Sequence, residues 1–439
     1  MAGWCAAADA EPSDAVAAEP REWVVTTTAD SGKGSLRQAI LDALRSAGPD
    51  TIRFDRETFG KPRTITLESP LPDLTGEVTL EGYIEDRLWL SSGATISGGG
   101  RHRVFRVLEG ARVVVRSLTV ADGSADEGGG ILNEGTLVVE GAAFLGNAAA
   151  GAGGAIVNRG GTLTVINSTF AGNRAGAEGG GIASFGGSAR ITNCTLSENA
   201  AVRGGGLFAD GALELANTIL ANSVGGLDCV AIGPGPPVSV RNLIETGEGC
   251  GTPISSADPR LGTLGYFNGP TKIFPLGGGS PAVNLGDNAA AVDAAGERLA
   301  WDQRGNGDPR FVAGFTDIGS FEQQAFPKLV VDTVEDSDLR GCTAVGAQDC
   351  PLRGALELAE ATPQPDVITF DPRVFDAPRT ITLTRPLPRV RSVVLVDAGD
   401  TPGVVVEVPG GADGLDLATG SGLGLRGVVI RGREASAAP

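Results

Sequence analysis

TLVVEGAAFLGNAAAGAGGAIVNRGG (Thr136–Gly161) is followed directly by TLTVINSTFAGNRAGAEGGGIASFGG (Thr162–Gly187) and then by SARITNCTLSENAAVRGGGLFADG (Ser188–Gly211). Three markers recur in step. Phe144, Phe170, Leu196 and Ile219 are each followed three residues later by Asn147, Asn173, Asn199 and Asn222. Ile131, Ile156, Ile182 and Leu207 each follow a Gly-rich triplet. Asn167, Asn193 and Asn217 form a third column. A period in the twenties with short β-branched alternations, such as Thr162–Ile166, indicates stacked strands. Glycine triplets interrupt every repeat and exclude the long amphipathic helices of a helical solenoid. At about 3.3 Å per residue, each repeat makes one turn of three short strands and three bends.

The expected fold is all-β: a right-handed, single-stranded parallel β-helix of the pectate-lyase-like type with short capping helices. Phe144, Phe170, Leu196 and Ile219 are read as one interior row. Asn147, Asn173, Asn199 and Asn222 are read as a structural amide ladder at a bend, in which asparagine tolerates left-handed backbone and bonds to the coils above and below. Glycine triplets allow positive φ and close approach at the tightest corner. Cys194 takes the place of Ser168 in the repeat and reads as a small, reduced, packed residue.

The 439 residues include 67 Gly, about twice the ~7% average usage. A net charge of −18 argues against nucleic acid and anionic membrane surfaces as partners. No stretch approaches the ~20 apolar residues of a membrane span. The six cysteines show no metal-site spacing. Two close pairs, Cys229/Cys250 and Cys342/Cys350, lie in Gly- or Asp-rich surroundings, which suits structural disulfides in an oxidising compartment. Free thiols are the alternative. Residues 1–22 read as a disordered segment without the basic and apolar regions of a signal peptide, so the expectation is an exported protein whose true start is missing.

Several motifs carry a family resemblance. GGAI at Gly153–Ile156 and FAGN at Phe170–Asn173 resemble the repeats of chlamydial polymorphic outer-membrane proteins. DPRLGTL (Asp258–Leu264), LGGGSPAVNLGD (Leu276–Asp287), DQRG (Asp302–Gly305) and DIGSFE (Asp317–Glu322) resemble the closing part of choice-of-anchor Q domain proteins. Asn284 stands where that family usually has Asp. GSLRQAILDA (Gly34–Ala43) resembles the CSLREA-type N-terminal segment. It recurs: PDTIRFDRETFGKPRTITL (Pro49–Leu67) matches PDVITFDPRVFDAPRTITL (Pro365–Leu383) at a constant offset of 316. The second copy carries an insertion with Cys342 and Cys350, and the resemblance places Cys350 at the family's cysteine position.

These observations divide the chain into a cap at 23–84, a β-helix with its closing segment at 85–325, and a second cap with the start of a truncated second β-helix at 326–439. Ser35 opens a short helix with a capping box to Gln38, and Leu36, Ala39, Ile40, Ala43 and Leu44 make its apolar face. Arg37 and Arg353 are paired by expectation with carboxylates such as Asp55 or Asp371.

No catalytic or cofactor-binding residue stands out. Asp122, Asp126 and Glu127 read as a solvated turn. His102 is the single histidine and has no nucleophile motif beside it. Asp287, Asp293, Asp302, Asp308 and Asp317 are dense enough to raise Ca2+ as a possible ligand through oxygen donors, with turn and cap roles as the alternative. The functional reading is an exported bacterial surface or secreted scaffold, non-catalytic, adhesin-like or glycan-binding, located extracellularly or on the outer membrane. Its expected partners are a surface glycan or a host or neighbour-cell protein, and it is expected to be a monomer. The alternative is a carbohydrate-active enzyme of the same fold, a polysaccharide lyase or glycosidase.

Overall fold

The computed structural model describes residues 19–82, 93–267, 269–305, 308–312, 314–323, 328–339, 342, 348–360, 366–391, 393–399, 401–409, 416–417 and 422–433. Most of the expected disordered segment, residues 1–18, lies outside these.

Short strands stack coil upon coil into a parallel β-helix. Sheet 1 has nine strands, from Arg21–Val25 to Val238–Val240. Sheet 2 has eight, from Arg63–Thr66 to Leu243–Ile244. Sheet 3 has seven, from Phe105–Val107 to Gly247–Glu248. Neighbours within each sheet are parallel and in register from coil to coil, as in Thr136–Glu140 against Thr162–Ile166. Side chains alternate in and out. Leu137 and Val139 of sheet 1 point inward above Leu163 and Val165, and all four are buried.

The solenoid begins earlier than the sequence suggests. Strands Arg21–Val25, Asp50–Phe54 and Glu77–Glu81 already belong to sheet 1, so the segment 23–84 forms the first coils rather than a separate cap. These coils carry no Asn or Gly-triplet columns, and their period is irregular. The first turn gives a strand to sheet 1 alone. Helix α1 (Leu36–Ala43) follows it and occupies the path that later coils take through sheets 2 and 3. Its Leu36, Ala39, Ile40 and Ala43 are buried in the main core, so the helix closes the apolar end. The Ser35 side chain accepts from the Gln38 N–H, but the Gln38 side chain turns to Asp42, so only half of the expected capping box forms.

The interior row of sheet 2 is Val120, Phe144, Phe170, Leu196 and Leu220. The Phe144 and Phe170 rings stack at 4.7 Å, which matches one strand spacing. Ile219 is a correction: it pairs with Thr195 and faces outward, packing with Leu276 and Ile318. The step from Leu196 to its true successor is one residue longer than the one read by eye, and a single-residue offset on a strand reverses the side chain.

Asn222 is corrected with it. Asn147, Asn173 and Asn199 are fully buried. Asn147 Nδ2 donates to Asn173 Oδ1 at 2.9 Å, and Asn173 Nδ2 donates to Asn199 Oδ1 at 2.9 Å. Each Oδ1 also accepts the main-chain N–H of the preceding rung, at 3.0 and 3.1 Å. Asn222 is exposed and binds Ser197 and Glu245 instead. It occupies the neighbouring corner, where Asp122, Gly146, Gly172, Glu198 and Asn222 all have positive φ. The rungs themselves are not left-handed. That conformation belongs to this corner and to the column Asn167, Asn193 and Asn217, with φ of 46°, 50° and 48°.

A disulfide joins Cys229, at the start of a sheet 3 strand, to Cys250 in the last coil. Cys194 is free and buried. Residues 328–433 form a second, smaller unit with its own core, stapled by Cys342–Cys350. Helix α2 (Leu352–Ala359), strand Asp366–Phe370 and strand Arg379–Thr382 repeat their first-unit counterparts at the offset of 316. Arg37 pairs with Asp30, and Arg353 with Asp336, rather than with Asp55 or Asp371. Asp55 instead caps Thr58, and Asp371 binds Arg373. Each of the two repeated guanidinium groups also donates to two carbonyls, Ser69 and Pro70 in one unit and Arg385 and Pro386 in the other.

The two Asn columns predict different mutational costs. Asn173→Ala orphans buried donors and acceptors, each costing about 1–3 kcal/mol, whereas Asn222→Gly, which keeps the left-handed φ of 57°, should cost about 0.5 kcal/mol or less. Urea unfolding of the two variants measures this, and equal losses would contradict the assignment of the ladder.

Candidate functional site

Residues 258–322, expected to close the solenoid, do not cap its end. They run back along its flank as a strap, over the bend between sheets 1 and 2. The left-handed asparagines hold it there. Asn167 Nδ2 donates to the Trp301 carbonyl at 2.8 Å, Asn217 Nδ2 to the Asp287 carbonyl at 2.9 Å, and the Asp287 N–H returns to Asn217 Oδ1 at 2.7 Å. A left-handed residue at this bend turns its amide outward, and asparagine is the side chain that tolerates the conformation at low cost.

The motifs DQRG and DIGSFE supply the other half of the latch. Gln303 is buried against the outer face of sheet 2. Its Oε1 accepts from Thr169 Oγ1 at 2.6 Å, and its Nε2 donates to the Ala142 carbonyl at 3.1 Å and to Thr271 Oγ1 at 3.0 Å. The Ser320 N–H donates to Thr195 Oγ1 at 3.0 Å. Arg310 is fully buried, pairs with Glu322 at 2.9 Å, and reaches Asn167 Oδ1 at 3.2 Å. Arg304 pairs with Asp302 at 2.6 Å and Asp308 at 2.7 Å. Asp317 accepts the N–H groups of Asn284 and Gln323, each at 2.6 Å.

The five aspartates raised as Ca2+ ligands therefore sit in separate roles. Asp302 and Asp308 face Arg304, Asp317 caps two N–H groups, and Asp287 and Asp293 close local turns. Among the described residues no group of three or more His, Cys, Asp or Glu is arranged to hold a metal ion. Burial pushes the Asp317 carboxyl up to about 6, against the pull of its two N–H donors and Arg310. Burial, reinforced by Asp317, also raises Glu322, with Arg310 opposing.

Where the strap leaves the flank it walls off a groove of about 500 Å³. The floor is the outer face of sheet 2. Thr64, Thr95 and Thr119 stand in one column, each pairing with the next. Tyr266 and Lys272 rise from the strap as one wall, with the Lys272 ammonium 5.6 Å from the Tyr266 ring centre. The Tyr266 hydroxyl is hydrogen-bonded to Thr95, and burial raises its pKa. The left-handed corner forms the other wall, with Asp122 and Glu198 bracketing the side-chain-free Gly146 and Gly172. The groove crosses six consecutive strands of sheet 2, from Thr64 to the corner after Thr195–Ser197, and is thus on the order of 24 Å long.

Of the other residues singled out in the sequence, Asp122 alone enters this site. Glu127 pairs with Arg159, and Asp126 is exposed. The His102 ring nitrogen Nε2 lies 3.2 Å from the Glu68 carbonyl. Tyr266, Lys272 and the threonine column were not visible in the repeat pattern, because the strap has no period and Thr64 and Thr95 fall outside the regular coils. No family model matches the chain, and no curated protein matches it.

The buried strap carboxylates set a pH dependence. An acid whose pKa is raised on folding stabilises the fold fully below its unfolded value of 3.8 and loses that contribution as pH rises through about 6. The melting temperature should therefore be about 2 °C higher at pH 5 than at pH 7.5, measured by calorimetry. A flat or reversed trend contradicts this account of Asp317.

Proposed function

We propose that the chain is an exported bacterial β-helix scaffold, on the cell surface or secreted, which binds glycan without cleaving it. The observation that carries this reading is the groove on sheet 2. Its open shape, threonine floor and single aromatic wall suit a ligand rich in hydroxyl groups. Tyrosine offers an apolar ring for a sugar face and a polar tip at little entropic cost.

Other features support the setting. Two disulfides suit an oxidising compartment. Among the described residues no helix is long and apolar enough to cross a membrane. The resemblance to surface-protein repeats and to choice-of-anchor Q domains belongs to the same proposal.

The groove's chemistry favours binding over hydrolysis. Asp122 and Glu198 stand three coils apart in one column, roughly 14 Å at the usual strand spacing. Paired-carboxylate glycosidases need about 5–9.5 Å.

A glycan array probed with the full chain tests the proposal. Binding to a defined subset of glycans is expected, weakened about tenfold or more by Tyr266→Ala. Unchanged binding by that variant, or release of cleaved sugar by the wild type, would overturn it.

A further inference from the structure

We infer that the groove takes a linear, neutral or amino-sugar polysaccharide laid along the solenoid axis, with about one sugar facing each coil. The inference rests on the glycan reading above and specifies its ligand. A groove made by coil stacking repeats its floor at the strand spacing of about 4.8 Å, which is close to the length of one sugar in an extended chain. Thr64, Thr95 and Thr119 follow one another at that interval, one per coil, with Thr64 exposed, Thr95 half-buried and bonded to Tyr266, and Thr119 buried beneath them. Beyond them the corner continues through Gly146, with Asp122 Oδ1 3.3 Å from where its Cβ would stand, to Gly172, where no atom lies within 4 Å of that position. The path is therefore open along the axis and narrow across it, which fits a chain and not a compact or branched sugar.

Charge selects among chains. Asp122 and Glu198 are both exposed on one rim, and Lys272 on the opposite wall is engaged with the Tyr266 ring. Together with a net charge of −18, this disfavours a polyanion such as a uronic-acid polymer.

The corner also supplies a selective test. Asp122, Glu198 and Asn222 hold the same left-handed conformation as Gly172, at φ of 49°, 61° and 57°. The corner thus accepts a side chain, and with Asp122 drawn aside onto Ser97, Gly172→Asn should fold while putting a side chain across the gap that remains midway. Calorimetric titration of the full chain with neutral linear oligosaccharides, from disaccharide upward, and with oligogalacturonides of matched length, reads the outcome. Affinity should rise with length by about tenfold or more before levelling off once the groove is spanned, and Gly172→Asn should remove that gain. Thermal melts of the variant check that it folds. Length-independent binding, or a gain that survives Gly172→Asn, overturns the axial arrangement and leaves the glycan reading standing. Preference for oligogalacturonides overturns the charge selection. No binding to any sugar overturns the glycan reading itself.

Discussion

Coil-to-coil hydrogen bonding is the constraint on which the rest depends. A parallel strand satisfies its N–H and C=O groups only through the coils above and below, so every corner must bring the chain back at a fixed height. At the corner after sheet 2 the side chains do this as well as the main chain. Asn173, the middle rung, accepts two bonds from Asn147 of one neighbouring coil, and its Nδ2 reaches Asn199 of the other at 2.9 Å. A second stack, Asn133 to Asn158 to Ser184, does the same beside sheet 3. Amides buried this way are costly unless fully paired, which makes the register all-or-none.

The regular stack creates a second requirement. Its outer face on sheet 2 presents Thr169, Thr195 and Ile219, which would otherwise form a flat, half-apolar flank. The strap covers that stretch with Gln303, Ser320 and Ile318. Its irregular chain is held by buried ion pairs, because its described residues form no strand or helix to satisfy their own groups. Breaking one member of such a pair leaves an uncompensated buried charge, so the latch is strong in position and sensitive to substitution. The groove exists because the strap stops short of Thr64, Thr95 and Thr119 and turns Tyr266 and Lys272 toward them.

Much of the solenoid was legible in the sequence. Phe144, Phe170, Leu196 and the three asparagines behind them repeat at the coil length, and periodicity reports stacking directly. Ile219 and Asn222 show the limit. A chance pair at the right spacing mimicked the motif one residue out of register, and on a strand that is the opposite face. The offset of 316 revealed two equivalent helices and two equivalent arginines, but not their partners. Asp30 lies 7 residues before Arg37, whereas Asp336 lies 17 before Arg353, so no common spacing marks them. The candidate site was the least legible part. Thr64 and Thr95 come from irregular coils, and Tyr266 and Lys272 from a strap whose place is set by long-range contacts. The motifs DQRG and DIGSFE were visible as signatures, but their role in docking the strap on Thr169 and Thr195 emerges only from the fold.

Native-state hydrogen exchange resolved to single amides tests the central claim most directly. The account predicts that the N–H groups of Asn147 and Asn173, held by buried side-chain oxygens of the next coil, exchange only through global unfolding. The N–H of the exposed Asn222, bound to the half-buried Glu245 carboxylate, should exchange orders of magnitude faster. Comparable rates at the three positions would mean that the buried asparagines do not lock the coils together.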